Sequence, residues 1–179
     1  MKLKRLKVRR GRRGQVWVET VIYTLIGLAI IGILLAVTKP QIDKMKDRLM
    51  IEQTIESLNK IDAKIFEVRQ APGNKRLLEI KISRGSLTFD CASDSISWVV
   101  DSDYKYSEIG EEINLGSLVV LTEGANPYVV TLRQDYPLNL TCGGMDIEKE
   151  ISGAATPYSV LVESVGSNVG DSWVDVVVG

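Results

Sequence analysis

Gly14-Gln15-Val16-Trp17-Val18-Glu19, followed by 19 residues without a charge (20 to 38), divides this chain of 179 residues into two kinds of sequence. Upstream lies a leader, residues 1 to 14, carrying Lys2, Lys4, Arg5, Lys7, Arg9, Arg10, Arg12 and Arg13 and no acidic residue. An ordinary secretory signal is cut after its apolar run. Here the small-residue junction precedes the run, and neither Lys39 nor Pro40 beyond it offers a cleavage site, so a cut at Gly14/Gln15 keeps the apolar segment in the mature protein.

The chain as a whole is close to neutral, with 22 Lys plus Arg against 23 Asp plus Glu. Without the leader, 14 cations face 23 acids and the formal charge is −9, so the balance hides an asymmetry between the ends. A basic run can meet nucleic acid or anionic lipid. Placed directly before an apolar helix it more simply sets orientation, holding the N-terminus in the cytoplasm, and no nucleic-acid partner is expected. About 20 apolar residues cross a bilayer as a helix, so residues 20 to 38 are just long enough to span. A plain single-pass anchor satisfies this composition. It gives no reason for Glu19, a carboxylate at the edge of the span, where a charge costs less than the ~2.5 to 3.5 kcal/mol of the helix centre but still requires a partner. If Gln15 becomes the first residue, its α-amine is such a partner, within one subunit or between two, and the pairing sets the register of assembly.

A short basic leader, Gly14 at its last position, Gln15 as first mature residue, Glu19 as fifth mature residue and an apolar helix following together resemble the class III signal peptide of archaeal type IV pilin-like proteins. The match covers residues 9 to 40. Bacterial relatives usually have Phe or Met first in the mature chain, so Gln15 resembles the archaeal branch. The resemblance implies cleavage at Gly14/Gln15 by a membrane prepilin peptidase, retention of the helix, and polymerisation with apolar helices in the filament core. Its implied partners are that peptidase, other copies of the chain or other pilins, the assembly machinery, and membrane lipid before assembly.

Past the span, Ile42, Met45, Leu49, Ile51, Ile55, Leu58, Ile61, Ile65 and Val68 recur by threes and fours, with one phase shift near Ile51. This predicts an amphipathic continuation over residues 39 to 71, with Lys44, Lys46, Asp47, Arg48, Glu52, Glu56 and Lys60 on its charged face. Pro40 lacks an N–H and crowds the carbonyl of Ala36, which bends or breaks the helix there. Ala71-Pro72-Gly73-Asn74 ends it.

Residues 75 to 179 change to short alternating runs. Leu78, Ile80 and Ile82 alternate with Glu79 and Lys81, and Ile96, Trp98 and Val100 with Ser97 and Val99. Further strands are expected at 86–90, 118–122, 128–133, 138–142, 158–163 and 173–178, with turns at Arg84-Gly85, Glu123-Gly124-Ala125-Asn126, Cys142-Gly143-Gly144 and residues 166–170. The predicted fold class is α+β: a long N-terminal helix, transmembrane (15–38) then amphipathic, with a small antiparallel β domain outside the cell.

Cys91 and Cys142 lie in that domain, too far apart for a CxxC motif and too few for a metal site. They are either a pair of buried thiols or, as an oxidising compartment favours, a disulfide. Asn139-Leu140-Thr141 is an N-glycosylation sequon. The chain has no His, no nucleophile elbow, no P-loop and no dinucleotide fingerprint. Asp101 and Asp103 lack the spacing of a calcium loop and are expected in a solvated turn. Trp98 and Trp173 are expected in sheet core or interfaces. No catalysis, cofactor or metal is expected. The expected function is structural and adhesive, in a surface filament. The rivals are a minor or priming subunit, a membrane-tethered binding module that never polymerises, and last a tethered enzyme.

Overall fold

The structure is a computed structural model that describes residues 13–166 and 173–179. Residues 1–12 of the basic leader and 167–170 of the glycine-containing turn lie outside the described residues. The chain divides into two compact units, Met1–Ile42 and Asp43–Gly179. The helix α1, Arg13–Val68, begins in the first and ends in the second, with Pro40 inside it. Of the two outcomes the sequence leaves for Pro40, a bend or a break, the helical assignment excludes the break.

In the first unit, every described side-chain position from Val16 to Ile42 is exposed except the half-buried Gly27. The helix is long and apolar enough to cross a membrane, with a mean hydropathy of 2.6 over an 18-residue window. Its hydroxyls serve themselves: Thr20 donates to the Val16 carbonyl at 2.9 Å, Thr24 to Thr20 at 2.8 Å and Thr38 to Leu34 at 2.7 Å. Bonding one turn back is what allows a hydroxyl to sit in an apolar surrounding without an orphan donor.

The second unit has a core of its own. On the helix, Ile51, Leu58, Ile61, Ile65 and Val68 are buried, whereas Met45 and Leu49 are exposed, as is Ile42 in the first unit. The expected stripe is therefore two stripes. At 100° per residue Met45 and Leu49 lie on roughly the opposite side of the helix from Ile51 and Leu58, and the phase shift near Ile51 marks the change of face. The helix ends at Val68, three residues before the expected boundary, and the chain turns through Gly73, whose φ of +80° suits a residue without a Cβ and whose N–H donates to the Ser164 carbonyl at 2.8 Å.

Among the described residues ten strands follow: β1 (Lys75–Ile80), β2 (Ser86–Asp90), β3 (Ser95–Ser102), β4 (Glu112–Leu115), β5 (Leu118–Gly124), β6 (Tyr128–Asp135), β7 (Leu140–Cys142), β8 (Glu148–Ser152), β9 (Tyr158–Val165) and β10 (Trp173–Val178). They form a four-stranded sheet, β1-β9-β10-β7, and a six-stranded sheet, β4-β5-β6-β3-β2-β8. The pairing is antiparallel except between β7 and β10, which run parallel. This is the expected α+β class. Inward residues of both sheets join the helix in one hydrophobic core, with Leu58 and Ile61 facing Ile80, Ile82, Leu87 and Trp98. Ile82 lies past the end of β1 yet remains buried. Gly85, at φ +79°, makes the expected turn, and a Cβ there would overlap the Val99 carbonyl oxygen, so no other residue fits.

β4 and β8 were not expected from the sequence. Each is a sheet edge with a single inward apolar residue, Ile113 or Ile151; the rest of β8 is charged or polar, and β4 adds only the exposed Leu115. Such edges resist pairing with another chain, and the same charges erase the alternation that betrays a strand.

Candidate functional site

Three places hold residues that the sequence singles out, and a fourth emerges from the fold. Gly14 and Gln15 fall in the first turn of α1 and Glu19 one turn further on, exposed beside the exposed Val16, Trp17 and Val18. An α-amine at Gln15 and the Glu19 carboxyl would thus be separated along the axis by about one helical turn.

Cys91 and Cys142 are joined by a disulfide across a sequence separation of 51, with Cα atoms 5.9 Å apart. Both are buried, so the two alternatives of the sequence, buried thiols and a bridge, resolve to a buried bridge. It ties the end of β7 to the residue just past β2. On the chain-entropy model a loop of this size stabilises the domain by roughly 4 kcal/mol. Asn139 is exposed one residue before β7, and its carbonyl accepts the Val174 N–H at 3.0 Å. The sequon's Thr141 is buried and donates its hydroxyl to Asp175 Oδ1 at 2.6 Å.

The fourth place corrects two expectations. Asp47 is expected on the charged face of the helix, but it lies one turn before Ile51 on the buried stripe and is only 5% exposed. A buried carboxylate persists only if its oxygens are satisfied. Arg84 Nη1 donates to Oδ1 at 2.6 Å, and the Asp103 N–H to Oδ2 at 2.7 Å, with the Ser102 hydroxyl at 3.4 Å. Arg84 also donates through Nη2 to the Asp101 carbonyl at 2.8 Å, while its own carbonyl accepts from Trp98 Nε1 at 3.1 Å. Asp101 and Asp103 are thus not simply a solvated turn. Asp101 belongs to β3, Asp103 to the bend after it, and their backbones complete the clasp while their side chains face water. Next to it, the Arg48 guanidinium lies 5.9 Å from the centre of the Tyr104 ring, and Tyr104 meets Tyr106 edge to face at 6.4 Å. The clasp fixes helix residues 47 and 48 to the end of β3. The spacing to Ile51 puts Asp47 on the buried stripe, but no spacing reveals its partners, which lie 37 and 56 residues away.

The tryptophans divide. Trp98 is 2% exposed in the core, whereas Trp173 is 36% exposed on the outer face of the four-stranded sheet. Just after β6, Tyr136 packs partly buried against the core, and burial, with the charge of the helix residue Asp62 adding to it, pushes its phenol well above the usual range. Burial likewise raises the Asp62 carboxyl. Comparison of the chain with protein-family models, with curated proteins and with solved structures finds no match.

Proposed function

We propose that this chain is a structural subunit of an archaeal type IV pilus-like surface filament, used in attachment, released from its leader by a prepilin peptidase and assembled through its N-terminal helix. One observation carries the reading. The helix from Val16 to Ile42 keeps its apolar side chains exposed, while Asp43–Gly179 holds a closed core and a disulfide without it. An apolar helix with no protein around it takes lipid as its surrounding before assembly and other copies of itself afterwards. Glu19 then acts as the register device: unpaired in an apolar filament core it is costly, and paired with the Gln15 amine it favours one subunit offset over others. The β domain, oxidised and outside the cell, is carried on the filament surface. On this reading the chain catalyses nothing and holds no cofactor.

Intact mass of the native protein tests it. The mature chain is expected to begin at Gln15, and Gly14→Val to insert in the membrane uncut. A native protein that retains Met1, or one cut near Ala36, would remove the pilin reading. Processing at Gln15 in protein that never enters filaments would instead leave a minor subunit or a tethered module.

A further inference from the structure

The outer face of the four-stranded sheet carries an arrangement that the proposed assembly through the N-terminal helix does not invoke. Leu140 and Val174 are register partners on the parallel strands β7 and β10, and both are buried. Side chains alternate along a strand, so Trp173 projects from the opposite face of β10, and Asn139, one residue before β7, continues the same register beside it at the strand spacing of about 4.8 Å. The Val174 N–H bond to the Asn139 carbonyl at 3.0 Å holds this offset. Asn139 is exposed, and so is Trp173, backed by its cross-strand partner Val165. An indole left at the surface presents a flat apolar face, and the C–H face of a pyranose ring is shaped to lie on such a face.

We propose that Asn139 carries a saccharide whose first ring rests on Trp173, and that the sugar is attached before β10 closes on β7. The inference rests on the reading that residues 43 to 179 are exported. In the transfer, Asn139 Nδ2 forms a bond to the anomeric carbon of a lipid-linked sugar phosphate. The anomeric C–O bond to phosphate breaks, the phosphate leaves with the bonding electrons, and the amide proton passes to a base of the transferring enzyme. The order follows from Thr141. The hydroxyl of a sequon is part of what a transferase must reach, and in the folded domain it is buried and bonded to Asp175 of β10 at 2.6 Å. β10 follows the sequon by more than 30 residues along the chain, so the sequon is exported before the strand that covers its hydroxyl.

Peptide mass spectrometry of the full chain isolated from its native cells tests occupancy. The peptide containing Asn139 is expected to carry sugar mass in the same digest that yields the linked Cys91–Cys142 fragment. Unmodified Asn139 beside that linked fragment overturns the proposal. Loss of both sugar and bridge overturns export, and the proposal with it. For the stacking, Trp173→Ala is expected to lower the melting temperature of the glycosylated protein by roughly 2–4 °C and to have a much smaller effect in Asn139→Gln. Equal shifts in the two backgrounds overturn the contact. For the order, a chain ending at residue 172 needs no folding to be informative. It should be modified at least as fully as the whole chain, and lower occupancy overturns the order.

Discussion

Residues 16–42 and residues 43–179 dispose of their apolar side chains in opposite ways. In the first stretch Ile22, Leu25, Ile26, Ile30, Ile33 and Leu34 are all exposed, although the helix satisfies its own backbone and its threonine hydroxyls. In the second, Ile51, Ile61, Phe89, Trp98, Leu118 and Leu132 are essentially inaccessible, and even a carboxylate, Asp47, is buried because an arginine and a backbone N–H receive it. A folded chain stable in water by itself cannot leave the first arrangement uncovered. The contrast therefore separates what this molecule completes internally from what it must obtain from its surroundings.

The largest expected effect is a cut at the boundary. A fragment of residues 43–179 should be soluble without detergent and unfold cooperatively, and reduction of Cys91–Cys142 should destabilise it by roughly 4 kcal/mol. The full chain should instead require lipid or detergent. Circular dichroism melts and sedimentation read both, and a fragment that aggregates or melts without cooperativity would break the comparison.

A smaller effect sharpens it within one helix. Arg84→Ala leaves Asp47 buried beside only the Asp103 N–H and the Ser102 hydroxyl. Denaturant unfolding of the fragment should show a loss of about 3 kcal/mol, at the low end for a broken buried pair because Arg84 is half-exposed. Met45→Ser and Leu49→Ser, on the other side of the helix, should stay within about 0.5 kcal/mol of the parent. Comparable losses at all three positions would mean that the two faces are not distinct.

Much of this was legible because it is local. The charge-free run at 20–38, the stripe from Ile51 to Val68, the alternation around Trp98 and the glycine turns are each written in a few adjacent residues, and the helix and eight of the ten strands sit where those patterns place them. What escaped depends on distant partners. Asp47 sits on the buried stripe, one turn before Ile51, but the Arg84 and Asp103 groups that make its burial tolerable are distant in sequence, and β4 and β8 are polar because they are edges. Trp173 has the composition of a core residue, yet the register of β10 turns it outward. Of the candidate residues, the cysteine pairing followed from compartment logic, while the exposure of Asn139 and the capture of Thr141 by Asp175 required the β7–β10 register.

The smallest expected effect concerns pH. Burial raises the Asp62 carboxyl in the folded domain, and a group whose folded pKa is raised adds stability below its unfolded value, near 3.9, that is lost as pH rises through the folded value. Ionised Asp62 is therefore a penalty at neutral pH. Asp62→Asn should make the fragment slightly more stable at pH 7, and the advantage should vanish below about pH 4. An advantage that persists unchanged in acid would assign the effect to packing against Tyr136 instead of charge.

The most direct test of the filament reading is Glu19, at the lower edge of the stretch that lacks a surrounding of its own. Electron microscopy of sheared cell-surface material, with leader cleavage checked by mass, compares wild type with Glu19→Ala and Glu19→Gln. Loss of one charge from a buried pair costs ~3 to 5 kcal/mol, several hundredfold or more in an association equilibrium. Both variants should insert and be cleaved yet give few or no filaments, the glutamine variant as severely as the alanine one. Wild-type filament yield from cleaved Glu19→Ala protein would contradict the account.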